Sequence, residues 1–318
     1  MMKQPLVLAI TDANDPQLAR LAEIPHYLID SSAKPEAMPH DAEAILHWAG
    51  PRDMVRAAFL ASPNLRWVHS RAAGLDKMLF PELVQSSIPL TNGTGVFSQS
   101  LGEWALAVIL YFAKDIRRLL RSQEACRWDP FDVEELPGQT VGIVAYGDIG
   151  RAVASRVHAM GMRVLALKRH APTSPDPFVE RFYGTSELNA MLSECDFVVV
   201  AAPLTAETHH MISDDAIAAM KPNAVVINIG RGPVIDQAAL VRALAQGKIK
   251  GAGLDVFEKE PIPADDPIYK LPNVLISPHS ADNTKDWLNH AMQFFLEQYQ
   301  RFSNGQPLQN IVEKHLGY

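Results

Sequence analysis

Short, fully apolar segments alternate along this chain with segments of helical periodicity. The apolar runs are rich in β-branched residues and end at Gly, Pro or polar residues, which suits strands that helices bury on both faces. They lie at residues 44–48, 65–69, 140–144, 162–167, 196–200, 224–229 and 273–276, and the helical segments between them include 148–160, 186–193, 214–220 and 237–246. The repeated strand–helix order predicts an α/β fold of doubly wound parallel sheets.

The length and charge of the chain limit its organisation and its partners. A chain of 318 residues exceeds the usual size of one hydrophobic core, so two domains are expected. Its 29 basic and 36 acidic residues give a formal charge of −7, with no basic stripe that could follow a phosphate backbone. Nucleic acid is therefore not an expected partner.

Neither a membrane nor a metal is an expected partner either. The N-terminal apolar run at 6–10 is too short for a signal-peptide core, and no stretch reaches the roughly 20 apolar residues that span a bilayer. Cys126 and Cys195 lack C-x-x-C spacing, and the adjacent His209 and His210 show no metal-ligand spacing. We expect a cytoplasmic protein with reduced thiols.

A glycine-containing turn follows the apolar run at 140–144 and opens the next helical segment. Gly147 and Gly150 fill the second and third positions of G-x-G-x-x-G, while Ala145 takes the first. Free N–H groups and the dipole at such a helix start favour a dinucleotide pyrophosphate, although a purely structural turn is the alternative. The predicted cofactor loop is Ala145, Tyr146, Gly147, Asp148, Ile149 and Gly150.

The end of the next strand bears on which dinucleotide is used. An NAD site usually places an acidic residue there, on the ribose 2′-hydroxyl, but this chain reads Leu-Ala-Leu-Lys-Arg-His at 165–170. Lys168 and Arg169 could instead hold a 2′-phosphate. We predict NADP(H) in preference to NAD(H), which remains possible; the alternative is a solvated basic loop.

Three late segments, at 227–232, 254–261 and 277–280, supply a guanidinium, a carboxylate and an imidazole. Arg231 could hold a substrate carboxylate together with its keto oxygen, and the glycines on either side suggest that the backbone approaches a ligand closely. His279 could protonate the reduced oxygen. Glu260 is the expected partner that orients the imidazole, and Glu258 is its rival.

This order of Arg231, Glu260 and His279 after a glycine turn resembles the D-isomer-specific 2-hydroxyacid dehydrogenase family. That family interconverts 2-keto acids and D-2-hydroxy acids with a nicotinamide cofactor, and the likeness is to its glyoxylate/hydroxypyruvate reductase-like members. The resemblance implies a Rossmann cofactor domain at 105–283. It also implies a discontinuous, flavodoxin-like substrate domain at 1–104 and 284–318, and a homodimer.

Further site residues follow from the resemblance. It implies that the N–H groups of Ala73 and Gly74 bind the substrate carboxylate, together with Arg231 and His279. The cofactor contacts that it implies beyond the glycine turn are Pro203, Thr205, Ile229 and Asp255. Trp48 and Arg71 are weaker candidates for the substrate pocket, since packing would explain both. The chain departs from the family at Ala145, at the missing acidic residue, and at Asp282, where many relatives have glycine.

The predicted activity is that of an NAD(P)-dependent D-2-hydroxyacid dehydrogenase, an oxidoreductase acting on CH–OH donors. It would transfer a hydride from NADPH to a small 2-keto acid such as glyoxylate or hydroxypyruvate. Alternatives among enzymes are a reductase of larger 2-keto acids and a phosphoglycerate dehydrogenase-like enzyme. An alternative of another class is a nucleotide-sensing, corepressor-like interaction protein, which added basic or proline-rich tails would have favoured.

Overall fold

The chain forms two compact α/β units in the computed structural model, which describes residues 4–12, 14–33, 38–170 and 172–318. Unit 1 comprises Met1–Phe97 and Lys285–Tyr318, and unit 2 comprises Ser98–Thr284. Each unit contains a parallel sheet, so the predicted fold class is confirmed. The first division falls at residue 98 rather than 105 because a helix that belongs to unit 2 begins there.

Unit 1 is built on a five-stranded parallel sheet with the strand order β2-β1-β3-β4-β5. The strands are β1 (Val7–Thr11), β2 (His26–Asp30), β3 (Ala44–His47), β4 (Trp67–Ser70) and β5 (Leu90–Thr91), and the helices are α1 (Arg52–Ala61), α2 (Pro81–Gln85) and the last helix of the chain, α9 (Trp287–Ser303).

Helix α9 explains why the C-terminal segment folds with the N-terminal one. Phe295 stacks on the buried Trp67 of β4, with 5.5 Å between ring centroids, and the Tyr299 hydroxyl donates to the Pro5 carbonyl at 2.8 Å. Burying one such aromatic side chain stabilises a fold by about 1.5–3 kcal/mol. The apolar face of α9 is therefore part of the core of unit 1.

Unit 2 has a seven-stranded parallel sheet with the order β12-β11-β10-β9-β6-β7-β8. The chain runs outward from β6 in one direction and then in the other, which creates a topological switch point beside β6. The strands are β6 (Thr140–Val144), β7 (Arg163–Leu167), β8 (Arg181–Tyr183), β9 (Phe197–Val200), β10 (Val225–Asn228), β11 (Gly251–Leu254) and β12 (Val274–Ile276), and the helices are α3 (Ser98–Ala113), α4 (Ile116–Glu124), α5 (Asp148–Ala159), α6 (Leu188–Leu192), α7 (Asp214–Ala218) and α8 (Gln237–Ala245).

Strand β11 is a central strand that the apolar pattern did not predict, because glycine occupies two of its four positions. A Cβ atom on Gly251 would lie 2.4 Å from Phe112 Cε1, and one on Gly253 would lie 2.4 Å from Val108 Cγ1. Both neighbours belong to α3. The glycines therefore leave room for α3 to lie directly on the strand.

The two cysteines are free thiols, Cys126 exposed and Cys195 buried. Burial raises the pKa of Cys195 to about 12, so this thiol stays protonated at neutral pH. Among the described residues, no helix combines the length and apolarity needed to cross a membrane. In the same part of the chain, no three His, Cys, Asp or Glu side chains form a group that could hold a metal ion.

Candidate active site

The carboxyl edge of the seven-stranded sheet carries the predicted residues of unit 2. Because all its strands are parallel, the segments that follow them emerge at one edge, where ligands bind in open α/β sheets. In sheet order these segments contain His279 after β12, Glu260 after β11, Arg231 after β10, Pro203 and Thr205 after β9, the glycine turn after β6, and Lys168 and Arg169 after β7.

His279 and Glu260 form a hydrogen-bonded pair at this edge. The distance from His279 Nδ1 to Glu260 Oε2 is 2.8 Å, and the other carboxylate oxygen accepts from the Phe257 N–H at 3.0 Å. The carboxylate is thereby held at both oxygens, and it orients the imidazole so that Nε2 is left to exchange a proton with a ligand. The side chain of His279 is 43% exposed, which leaves it accessible.

The rival carboxylate, Glu258, has other partners. Its Oε1 lies 2.9 Å from His210 Nε2 and accepts from the Gln237 N–H at 3.0 Å. Glu258 therefore ties the segment after β11 to the start of α8. The geometry selects Glu260 as the carboxylate that contacts the imidazole.

The backbone of His279 is in the left-handed region, with φ of 52°, a conformation that costs a non-glycine residue roughly 1–2 kcal/mol. The buried Asp255 stabilises this turn, since its Oδ1 accepts from the N–H groups of Ser280 at 2.9 Å and Ala281 at 3.1 Å. Its backbone carbonyl also accepts from the His279 N–H at 2.8 Å. Asp255 thus has a structural task, and its predicted contact with the nicotinamide stays a prediction.

Arg231 is positioned by a short turn after β10. Its Nη1 donates to the Gly230 carbonyl at 2.8 Å. The buried Asn228 donates from Nδ2 to the Arg231 carbonyl at 3.1 Å and accepts from the Gly230 N–H at 3.1 Å. Asn228 is a positioning residue that our sequence reasoning missed, although an amide at the end of an apolar run is an available signal.

The glycines on either side of Arg231 allow segments of the chain to approach each other closely. A Cβ atom on Gly230 would lie 2.5 Å from the Ala202 carbonyl oxygen, and one on Gly232 would lie 1.9 Å from the Phe257 carbonyl. Packing within the chain therefore already requires glycine at both positions. The close approach of this backbone to a ligand stays a prediction.

The glycine turn after β6 has a shape that fits a dinucleotide. Ala145 adopts φ of 70°, which a glycine would adopt without cost. A Cβ atom on Gly150 would lie 2.9 Å from the Ala145 carbonyl oxygen, whereas one on Gly147 would meet nothing within 4 Å. Gly150 thus permits close packing of the turn on α5, and Gly147 leaves open space at the helix N-terminus.

The residues predicted to recognise the ribose have partners of their own. Lys168 Nζ lies 6.0 Å from the centroid of the Tyr146 ring, and Arg169 forms an ion pair with Glu207. No carboxylate stands at the end of β7 itself, but Glu207, from the loop after β9, places one beside Arg169. Glu207 lies 38 positions from Arg169 in the chain, so the sequence carried no signal for this pair.

The loop after β9 is held by hydroxyl groups. Thr208 Oγ1 donates to the Pro203 carbonyl at 2.6 Å and accepts from the Thr205 N–H at 2.8 Å. These bonds fix the backbone at Pro203 and Thr205, which are both predicted to contact the cofactor. Ile229, another predicted cofactor contact, is buried, and its N–H donates to the Val200 carbonyl at 3.0 Å.

Asp282 brings another ionisable group close to the catalytic candidates. Burial and then the like charge of Asp255 raise the pKa of Asp282 above its usual range, although His279 and Arg231 act in the opposite direction. The resemblance implies glycine at this position in many relatives, and that departure stays a prediction.

The predicted residues of unit 1 lie at the carboxyl edge of its own sheet. Ala73 and Gly74 follow β4, and Asn92, just after β5, donates from Nδ2 to the Ala73 carbonyl at 2.7 Å. Within the described residues, the N–H groups of Ala73 and Gly74 donate to no protein acceptor. They are therefore available to an anion.

A dinucleotide turn at the switch point of a doubly wound sheet, with an arginine and a carboxylate-bound histidine on the same edge, is the architecture of a nicotinamide-dependent dehydrogenase. Comparison with known proteins agrees. Residues 106–281 match the family model described as D-isomer specific 2-hydroxyacid dehydrogenase, NAD binding domain.

Curated relatives extend this match over most of the chain. A glyoxylate reductase of Korarchaeum cryptofilum is 36% identical over 81% of this chain and 79% of its own length. A glyoxylate/hydroxypyruvate reductase B of Pectobacterium atrosepticum is 34% identical over 89% of this chain and 90% of its own.

A solved structure shows the same fold. An NADPH-dependent glyoxylate/hydroxypyruvate reductase of Sinorhizobium meliloti, in complex with NADP and sulfate, superposes with a TM-score of 0.84 at 26% identity. The match covers 99% of this chain and 100% of that one. The chain belongs to the D-isomer-specific 2-hydroxyacid dehydrogenase family, and the resemblance inferred from its sequence is confirmed. It is an NAD(P)-dependent oxidoreductase.

Proposed function

We propose that this protein reduces a small 2-keto acid, glyoxylate or hydroxypyruvate, to the D-2-hydroxy acid with NADPH. The hydrogen bond of 2.8 Å between His279 and Glu260, at the sheet edge that also carries Arg231, is the observation that carries the proposal. The activities of the two reductases from Korarchaeum cryptofilum and Pectobacterium atrosepticum support the choice of substrate.

The chemistry divides among these three side chains. The Arg231 guanidinium binds the substrate carboxylate and polarises the keto oxygen. His279 donates a proton from Nε2 to that oxygen as it gains charge, and takes the proton back in the reverse reaction. Glu260 holds Nδ1 and stabilises the protonated imidazole. When bound, NADPH supplies the hydride.

The residues of unit 2 that would hold the cofactor are those at its carboxyl edge. The backbone of residues 145–150 would bind the pyrophosphate, and Pro203, Thr205, Ile229 and Asp255 would contact the rest of the cofactor. Lys168 and Arg169 would bind the 2′-phosphate that distinguishes NADP(H) from NAD(H). The NADP complex of the reductase from Sinorhizobium meliloti supports this preference.

Unit 1 is proposed as the substrate domain and unit 2 as the cofactor domain. In unit 1, the N–H groups of Ala73 and Gly74 would receive the substrate carboxylate. A cytoplasmic location stays a prediction.

A homodimer is also proposed. Large apolar side chains are exposed on and after α4, and Trp128 is 97% exposed; the others are Leu119, Leu120 and Val133. Exposed large apolar side chains in this stretch of chain support a protein interface here. A second copy of this chain is the partner that the resemblance implies.

The test is reduction of glyoxylate, hydroxypyruvate, pyruvate and phenylpyruvate with NADPH and with NADH, followed by absorbance of the nicotinamide. We expect turnover with NADPH on glyoxylate and hydroxypyruvate. The variant His279→Asn should abolish it. Glu260→Gln should lower kcat about 10- to 100-fold, because the amide can still accept a hydrogen bond but lacks the negative charge that stabilises the protonated imidazole. The exposed His315 offers the control His315→Asn, which should leave kcat unchanged. Full turnover in His279→Asn would refute the proposal.

A further inference from the structure

Arg71 lies against two indole rings at the carboxyl edge of the sheet in unit 1. Its guanidinium carbon is 5.0 Å from the ring centroid of Trp48 and 4.9 Å from that of Trp287. Trp48 is 1% exposed, and its Nε1 donates to Asp15 Oδ2 at 2.5 Å. Two rings packed against a guanidinium restrict its orientation and leave its N–H groups as the surface that can bind.

The guanidinium makes no direct ion pair or side-chain hydrogen bond in the described part of the chain. No carboxylate lies within ion-pair distance of it, and its N–H groups donate to no protein acceptor there. Asp15 and Asp12 are near enough to act on its charge. Asp15, however, accepts from the Gln17 N–H and from Trp48, and Asp12 accepts from the Ser31 hydroxyl at 2.7 Å.

The imidazole of His47 also lies near Arg71, and it does not neutralise the guanidinium because a histidine carries no negative charge. His47, at the end of β3, has its pKa lowered by burial and by Arg71, so it is neutral at neutral pH. Burial lowers the pKa of Arg71 itself, which shows that its charge is partly desolvated. A half-buried guanidinium whose N–H groups make no direct hydrogen bond to the protein can still bind an anionic ligand through them.

The guanidinium and the N–H groups of Ala73 and Gly74 face different neighbours. Arg71 reaches Trp48, which follows β3 on one side of β4, whereas Asn92 ties the Ala73 loop to the end of β5 on the other side. The guanidinium is therefore directed towards the β3 side of β4 and the Ala73 loop towards its β5 side, which favours a separate anionic group for each position.

We propose that Arg71 is a specificity residue that binds the distal carboxylate of a 2-keto dicarboxylic acid. This rests on the proposed function, in which Ala73 and Gly74 receive the carboxylate next to the keto group. The protein then accepts 2-keto acids with a second anionic group in addition to the small ones. The clamp formed by Trp48, Arg71 and Trp287 selects among them.

The test compares 2-oxoglutarate with 2-oxovalerate, which has the same number of carbons and no second carboxylate. In the wild type, kcat/KM should be higher for 2-oxoglutarate. Arg71→Gln should lower it about 10- to 100-fold for 2-oxoglutarate, mainly through KM, and less than about threefold for 2-oxovalerate and glyoxylate. Arg71→Lys should retain part of the preference, because it keeps the charge and loses the planar fork.

Arg66 provides a matched control. It precedes β4, at the opposite edge of the same sheet, and its guanidinium also lies over an aromatic ring, 4.9 Å from the centroid of Phe302. Arg66→Gln should leave both substrates unaffected. An equal loss for 2-oxoglutarate and 2-oxovalerate in Arg71→Gln, or no preference for 2-oxoglutarate in the wild type, would overturn the proposal.

A binding measurement separates this proposal from the proposed function. Calorimetric titration with glutarate and with valerate requires no turnover. Binding of glutarate that Arg71→Gln removes would support the anion site even if no 2-keto acid were reduced, in which case only the proposed function would fail. Equal binding of both acids, or glutarate binding that survives in Arg71→Gln, would refute the anion site.

Discussion

The ion pair between Arg169 and Glu207 predicts how cofactor preference can be strengthened. If Arg169 binds the 2′-phosphate, Glu207 competes with that phosphate for the guanidinium and repels it. Glu207→Gln removes both effects. The Glu207 side chain is 70% exposed, so solvent screens the pair, and such pairs contribute about 0.2–1 kcal/mol. The variant should therefore lower KM for NADPH by up to about fivefold and leave KM for NADH unchanged.

Steady-state kinetics with each cofactor at a saturating keto acid measures this difference. The control is Glu180→Gln, because Glu180 pairs with Arg163 at 2.7 Å at the start of β7, whereas Arg169 follows its end. That variant should change neither KM. An equal change for NADPH and NADH in Glu207→Gln would show that Arg169 does not recognise the 2′-phosphate.

Two further predictions concern stability and assembly. The raised pKa of Asp282 means that the folded protein holds this proton more tightly than the unfolded chain, so its contribution to stability is lost as pH rises through the folded-state pKa. Asp282→Asn cannot lose that proton. Its melting temperature should exceed that of the wild type increasingly as pH rises above about 4, and a constant difference in thermal unfolding across pH would contradict the cause. Trp128→Glu should convert a dimer to a species of 35.0 kDa in light scattering, whereas Leu60→Glu, at another exposed apolar position, should not. A wild type that is already monomeric would end the dimer proposal.

The predictability of the fold differed from strand to strand for physical reasons. The runs that became β6, β7, β9 and β10 are apolar on both faces, so their pattern indicated buried parallel strands directly. Strand β11 was missed because its glycines serve the packing of α3, and β2 was missed because it lies at the sheet edge and is partly exposed. A packing partner far along the chain decides the first case, and the position of the strand at the sheet edge decides the second.

The residues of the candidate site also differ in how far the sequence could predict them. Arg231, Glu260 and His279 could be named from the sequence because each follows a strand or lies in a motif, and parallel strands bring such segments to one edge. Glu207 and Asn228 could not be assigned their contacts from the sequence, since those depend on how a loop folds back or how a turn closes. The packing contacts that require Gly230 and Gly232 could not be predicted for the same reason.

Backbone strain at the edge of unit 2 has a common support. Ala145 and His279 both have positive φ, and each conformation costs about 1–2 kcal/mol. Each turn is closed by a hydrogen bond to a strand end or to a residue that directly follows one: the Tyr146 N–H donates to the Leu167 carbonyl of β7, and the His279 N–H donates to the Asp255 carbonyl just after β11. Because these acceptors belong to the rigid sheet, the strained residues cannot relax without breaking its edge. The sheet thereby holds the imidazole that would donate the proton, and the turn that would hold the pyrophosphate, in conformations that a free loop would not retain.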